Sequence, residues 1–469
     1  MAFPVRWCWI WLKRNWIISL LSLILVTLLF SIFSLKWYDV DSRVGNPKPS
    51  FNELSVSRLS LNHGLKQTGK VSTNQSVNVG EIRAKMLREK IQRIAQKIKK
   101  PQTSVESIKN LEPNSHVHAF YYAWYGNVAV DGNWSHWNHL YLTNWKKEDK
   151  KVYPSGRHKP PDDIGANFYP LLGCYSSRDP KVIDEHMRLM RQAGIGVVVL
   201  SWYPEGMTDS PEDIFPLMLD TAQRYGLKVA PHIEPYRNRN PINLHQHLSH
   251  LILKYGSHPA LYRMKRLHQR SDAKELPVFY IYDSYLTPAA AWRELLSAKG
   301  NLSIRGTHLD AVFLGLLVEI QHRYDIKKAH FDGFYTYFAT NGFTYGSTWK
   351  YWRSLSKFAH QNGLIFIPSV GPGYIDTQVR PWNIGNARHR RNGKYYEVAW
   401  RSALSAPANY VSVTSFNEWH EGTQIEPAIP YQTESFTYMD YKPEDPHFYI
   451  NLTRWYANEM TKRKNSPVN

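Results

Sequence analysis

Cysteine is almost missing from this chain: Cys8 and Cys174 are the only two in 469 residues, too few for a disulfide framework. Acidic residues are short as well, 39 against 58 Lys and Arg, and the resulting +19 invites a nucleic-acid partner. The distribution argues otherwise, because eight basic and two acidic residues fall between Glu81 and Lys100, six of the nineteen excess charges in one short segment. Metal and phosphate motifs are also lacking. His420-Glu421 begins like a zinc helix, but the second histidine would stand at position 424, which is Gln424. Neither a Gly-rich phosphate loop nor a calcium loop occurs. The one Asp-x-Asp triplet, Asp39-Val40-Asp41, lies far from any candidate catalytic body. No cofactor, metal or nucleic acid is therefore expected.

What is present begins with an apolar run. Trp16 to Leu35 carries no charge over twenty residues, enough to cross a bilayer core of roughly 30 Å as a helix. Arg6, Lys13 and Arg14 precede it, and Lys36, Asp39 and Asp41 follow, a bias that puts the amino terminus in the cytosol. The run exceeds the apolar region of a signal peptide and lacks a small-x-small cleavage site, so an uncleaved anchor is expected. That gives a cytosolic tail (1–15), a transmembrane signal anchor (16–35) and a lumenal remainder. Cys8 and Cys174 would then lie on opposite sides of the membrane. Residues 36–111 lack a sustained apolar period and read as a flexible stem. One basic amphipathic helix interrupts it at 81–100, where Leu87, Ile91, Ile94 and Ile98 recur at four, three and four before Pro101. That seam falls short of two heptads, which leaves weak self-association, a membrane surface and a solitary helix all open. Sequons at Asn74, Asn133, Asn301 and Asn451 fit a lumenal chain.

From 112 to 469 the pattern changes to strand-like runs alternating with amphipathic segments. Strands are expected at His116 to Tyr122, Gly196 to Trp202, Leu227 to Ile233, Val278 to Asp283, Ala311 to Val318, Gly333 to Phe338, Leu364 to Val370 and Asn409 to Ser415. Helices are expected at Lys181 to Ala193, Pro211 to Tyr225, Pro241 to Tyr255, Thr287 to Ala298, Thr348 to Asn362 and Lys394 to Leu404. Such alternation predicts an α/β fold with a parallel sheet, and eight strands in about 350 residues favour a (β/α)8 TIM barrel. Seventeen Trp and thirty Tyr are many. They suit stacking on sugar rings as well as a large aromatic core.

The polar and aromatic clusters fall at the expected strand ends, where this fold places catalysis. After the last strand comes Ser415 to Glu426, SFNEWHEGTQIE. Glu418 and Glu421 are three apart, so one tight turn aims both at the same space. Glu-x-x-Glu alone is more often a solvated helix face. Two converging carboxylates push their pKa values apart, one an acid and one a base, as glycoside hydrolysis requires.

The stretches HAFYYAWYG, HWNH, PPDDIG, CYSSRDP, LSWYP, HIEPY, FDGFYTYFATNGFTYGS, FIPSVGPGYIDT with RPWN, and SFNEWHEGTQIE resemble the glycoprotein endo-α-1,2-mannosidase family over about His116 to Leu452. The resemblance implies a (β/α)8 glycosidase in the Golgi membrane, single-pass with its catalytic domain in the lumen. Its partners would be N-linked oligomannose glycans on glycoproteins, from which it would release glucosylated mannose (Glc1-3Man) with retention. It also implies a path through a 1,2-anhydro sugar, with Glu418 as base to the 2-hydroxyl and Glu421 as general acid and base. By the same resemblance Tyr122, His136, Trp137, Tyr203, Glu234, Tyr335, Tyr337, Arg380, Trp382 and Asn417 are expected sugar contacts. Two departures stand out: Leu171 replaces an acidic residue frequent in the family, and Asn133 carries its own sequon. Two further readings stay open, a silent glycan-binding paralogue and a Golgi glycosyltransferase. The retained acid pair weighs against the first, and the position of the Asp-x-Asp triplet against the second.

Overall fold

The structure is a computed structural model that describes residues 112–144, 152–267, 273–434 and 436–465. The expected tail, anchor, stem and basic helix lie outside the described residues, as does Asn74. Among the described residues no helix is long and apolar enough to cross a membrane.

Nine parallel strands run β1 (Asn114–Tyr121), β2 (Ile195–Trp202), β3 (Lys228–Ile233), β4 (Leu276–Ile281), β5 (Val312–Leu316), β6 (Gly333–Tyr335), β7 (Ile365–Ile367), β8 (Ser369–Val370) and β9 (Val411–Val413). Their order across the sheet is β8-β9-β1-β2-β3-β4-β5-β6-β7, with parallel pairing throughout. The two ends of that path, β7 and β8, are separated in sequence by Pro368 alone. Proline has no N–H to continue the ladder, yet its carbonyl still accepts from Ser412 N–H at 3.0 Å. The sheet thus nearly closes into a TIM-barrel-like α/β domain. All eight residues of β2, IGVVVLSW, are buried, as expected of a strand covered on both faces.

Helices cover the outside: α1 (Pro180–Gln192), α2 (Phe215–Arg224), α3 (Pro241–Tyr255), α4 (Ala289–Leu296), α5 (His322–Lys328), α6 (Trp352–Gln361), α7 (Lys394–Ser405) and α8 (Phe448–Asn465). Local chemistry sets their starts. The Asp179 carboxylate accepts from Lys181 N–H ahead of α1, and Asn240 and Asn243 close a reciprocal cap on α3, both followed by proline. In α1, Ile183, Met187 and Met190 recur at helical spacing and face the barrel. Each such burial stabilises by about 1.5–3 kcal/mol. Helices α5 and α8 were not foreseen; α5 buries only Ile326, which leaves no apolar period to read.

The barrel interior is aromatic. Phe120 lies 4.9 Å from His232 and 5.6 Å from Tyr335 between ring centres, and Tyr280 lies 5.0 Å from Tyr335. Burial drives His118 and His232 down to about 3, so both are neutral and hydrogen-bond Tyr280 and Tyr335. Much of the aromatic richness is therefore core. At the opposite end of the strands Arg266 and Arg305 each pair with Asp310 and Asp332, tying the starts of β5 and β6 together away from the mouth.

Candidate active site

The loop after β9 folds back on itself. Ser415 N–H donates to Thr423 O at 2.9 Å, Glu418 N–H to Ser415 Oγ at 2.7 Å and Gly422 N–H to Trp419 O at 3.2 Å. Gly422 has φ +61°, and a Cβ there would stand 2.7 Å from Ile375 O. Glycine is what this close approach permits.

The turn brings Glu418 and Glu421 near enough to interact. Burial raises Glu418 well above the usual carboxylate range; the Glu421 charge adds to this, while Arg380 and the His420 N–H oppose it. Glu418 Oε2 is buried and makes no hydrogen bond within the protein. Burial raises Glu421 to about 7, with Arg380 pulling it down and Asp376 pushing it up. Glu421 keeps part of its surface toward a cavity of about 230 Å³ lined also by Tyr282, Phe343, Tyr374, Arg380 and Asn383. A third carboxyl, Glu234, follows β3 and is raised to about 8 by burial, although Ser201 Oγ donates to it at 2.8 Å.

The expected residues fall in different surroundings. Tyr122, Tyr337, Glu234 and Arg380 gather around the acid pair: Tyr122 and Tyr337 share a hydroxyl–hydroxyl bond, and burial together with the glutamate charges raises both phenols. Tyr203 stands by Glu234 and Asp209. Trp137, Tyr335 and Asn417 present no surface at all. Trp137 Nε1 donates to Tyr175 O at 2.7 Å and Tyr335 is bonded to His232 inside the barrel, so these three support the site rather than offer a face to sugar. His136 stacks on Trp124 with ring centres 4.5 Å apart and meets Asp209 at 2.9 Å. Trp382 is partly buried, with Tyr153 at 6.4 Å.

Three contributors stand outside the expected contacts, although Tyr282 and Tyr374 belong to the aromatic clusters that the sequence puts at the strand ends. Asp376 is 1% exposed and accepts from Arg380 at 3.1 Å, Tyr374 at 2.8 Å and Asn383 at 2.9 Å; the four-residue spacing of Asp376 and Arg380 was its one signal. Tyr282 and Tyr374 complete the wall beside Glu421. Elsewhere, Glu205, Glu212 and His250 have ligand atoms within 4.8 Å of one another. Glu212 already accepts from Trp202, Tyr255 and Lys254, and an ammonium there opposes a metal ion.

Buried carboxyls with raised pKa at the mouth of an α/β barrel, walled by aromatic rings, define a glycoside hydrolase. A sequence model of Glycosyl hydrolase family 99 matches residues 112–462, and the chain belongs to that family. It is 52% identical over 369 residues to glycoprotein endo-alpha-1,2-mannosidase of Rattus norvegicus, covering 78% of this chain and 79% of that one. To the glycoprotein endo-alpha-1,2-mannosidase-like protein of Homo sapiens it is 52% identical over 361 residues, covering 76% and 78%. The solved structure of a family 99 endo-alpha-mannosidase from Bacteroides thetaiotaomicron superposes with a TM-score of 0.70 at 42% identity, covering 76% of this chain and all of that one.

Proposed function

We propose that this chain is a retaining endo-α-1,2-mannosidase that releases glucosylated mannose, Glc1-3Man, from N-linked oligomannose glycans. The observation that carries this reading is the pair Glu418 and Glu421, both raised by burial on one turn, with Glu418 Oε2 unbonded within the protein. In the first step the sugar 2-hydroxyl oxygen attacks the anomeric carbon as the glycosidic bond breaks. Glu418 takes the hydroxyl proton and Glu421 protonates the leaving oxygen, giving a 1,2-anhydro sugar. Water then opens that ring at the anomeric carbon, losing a proton to Glu421, and the 2-oxygen recovers its proton from Glu418.

These roles need one proton on the pair, carried by Glu421. In the ligand-free site burial raises both carboxyls and the Glu421 charge raises Glu418 further above its ordinary value, so the pair holds on to a proton. Substrate places that proton on Glu421, because a 2-hydroxyl donating to Glu418 favours its ionised form and a leaving oxygen accepting from Glu421 favours its protonated form. Tyr203 beside Glu234 and Asp209 is the proposed contact for the terminal glucose.

The same reading takes the domain as a (β/α)8 barrel, with β7 and β8 counted as one strand interrupted at Pro368, spanning 112–469. It follows a transmembrane anchor at 16–35 and a stem at 36–111, in a single-pass protein of the Golgi membrane with its catalytic domain in the lumen. The charge-free run and the basic residues before it support that placement.

The test incubates the purified full-length chain with a glucosylated oligomannose glycan and with the same glycan lacking glucose, and identifies fragments by mass. The expected product from the first is glucosyl-mannose, abolished by Glu421→Gln. Release of single mannose units, or binding without release, would refute the reading; the latter outcome would favour the silent paralogue.

A further inference from the structure

A buried cation stands behind the acid pair. Arg390, in the loop before α7, is 8% exposed, and its guanidinium carbon lies 4.6 Å from the centre of the Phe168 ring, 4.8 Å from Tyr441 and 4.6 Å from Tyr449. Three ring faces offset the loss of water around the charge. The group is also aimed. Its Nη2 donates to Gly422 O at 2.9 Å and to Gln424 O at 2.8 Å, the carbonyls one and three residues beyond Glu421.

The neighbouring backbone completes the hold. Glu421 O accepts from Ile375 N–H at 2.8 Å, and Tyr374 exchanges two backbone bonds with Arg388 at 3.0 and 2.8 Å. The segment carrying Arg390 is therefore laced to the one that holds Glu421. Gly373 leaves room for this, since a Cβ there would come within 2.8 Å of Arg390 Cγ. Glu418 depends on different bonds, namely the Ser415 hydroxyl on its N–H and the Thr423 N–H on its carbonyl at 3.3 Å. The Thr423 N–H belongs to the same peptide as the Gly422 carbonyl that Arg390 holds, so the Ser415 hydroxyl is the anchor of Glu418 that is independent of Arg390.

We infer that Arg390 is the positioning residue for Glu421, an inference that rests on the acid role proposed for that residue. Arg390 does not reach the reacting atoms. It fixes the carbonyls after Glu421 so that the carboxyl meets the leaving oxygen, while Glu418 is held from its other side by the Ser415 hydroxyl. Lysine cannot replace it, because a point ammonium lacks the flat face that packs among three rings.

The Ser415 anchor on Glu418 gives the test its readout. A mannoside with a good leaving group, such as fluoride, does not need protonation at the leaving atom, whereas a glycan does. Arg390→Lys in the full-length chain is expected to lower kcat on the glucosylated glycan by about 10- to 100-fold, the scale of a misplaced acid, with KM little changed. On the glucosyl-mannosyl fluoride the single-turnover rate of fluoride release, which precedes the water step in which Glu421 acts again, is expected to stay within about threefold. Tyr449→Leu, which loosens the ring cage but keeps the guanidinium, should give the same selectivity at smaller size and serves if Arg390→Lys does not fold. Equal losses on both substrates, or no loss on either, would overturn the positioning role. Glu421→Gln is the control: if it is selective and the Arg390 and Tyr449 variants are not, the positioning role alone falls. If Glu421→Gln loses both substrates alike, the acid assignment falls and the inference with it.

Discussion

Asn417 treats Tyr122 as a neighbouring strand would. Its Oδ1 accepts the Tyr122 N–H and its Nδ2 donates to the Tyr122 carbonyl, both at 2.8 Å, so one side chain closes a two-bond ladder between the end of β1 and the loop after β9. The Tyr122 hydroxyl in turn meets Tyr337. Asn417→Ala strips both backbone groups of their partner in a fully buried place. A loss of about 2–4 kcal/mol in denaturant unfolding is expected, with kcat/KM falling in the fraction that remains folded. An unchanged unfolding midpoint would contradict this.

Arg380 sets where the pair becomes competent. Below about pH 7 both carboxyls hold protons and there is no base; as pH rises through about 7, Glu421 ionises and the pair reaches its one-proton state. The acid limb of kcat/KM is therefore expected near pH 7, since that profile reports the free enzyme. Arg380 lowers Glu421. Arg380→Gln should move the limb to higher pH by about one unit, equivalent to about 1.4 kcal/mol. A limb that stays in place would separate Arg380 from the pair.

The acid pair weakens the fold that carries it. Glu421 ionises at about 7 in the folded chain against an ordinary 4.5, so between these values the folded state holds more proton than the unfolded one. Stability then falls as pH rises from about 4.5 through about 7, by on the order of 3 kcal/mol. Glu421→Gln removes that cost. Its melting temperature should match the parent near pH 4.5 and exceed it at pH 8; a difference that does not grow with pH would be inconsistent.

Glu426, the last acid of the motif, has a structural task. With no exposed surface, it takes His186 Nε2 at 3.1 Å on one oxygen and both Tyr175 Oη and Trp419 Nε1 at 2.9 Å on the other. Glu426→Ala leaves His186 Nε2 and Tyr175 Oη without their acceptor, and Trp419 Nε1 with the Tyr175 oxygen alone at 3.2 Å. It should cost about 3–5 kcal/mol in chemical denaturation, with Glu426→Gln costing less.

Much of the fold was legible because Ile195 to Leu200 in β2 is a continuous apolar run, and because Pro180 and Pro241 mark helix starts. The expected span Pro241 to Tyr255 coincides with α3. The expected strand Leu364 to Val370 is broken at Pro368, since proline cannot donate to the ladder. The site was legible as a region rather than residue by residue. Tyr335 and Tyr337 look alike in sequence, yet Tyr335 ends β6 pointing into the barrel and bonds His232, while Tyr337 turns at φ +51° to meet Tyr122. Trp137 and Asn417 are expected contacts by the family resemblance; their burial depends on partners far along the chain. Arg390 gave no signal for the same reason, its ring partners being Phe168, Tyr441 and Tyr449.

The most direct measurement is proton NMR of a fresh digest of glucosylated oligomannose glycan by the full-length chain, read before the released sugar mutarotates. The account predicts glucosyl-mannose appearing first as its α-anomer, because two displacements at the anomeric carbon retain configuration. A β-anomer appearing first would mean a single displacement and would contradict the roles given to Glu418 and Glu421.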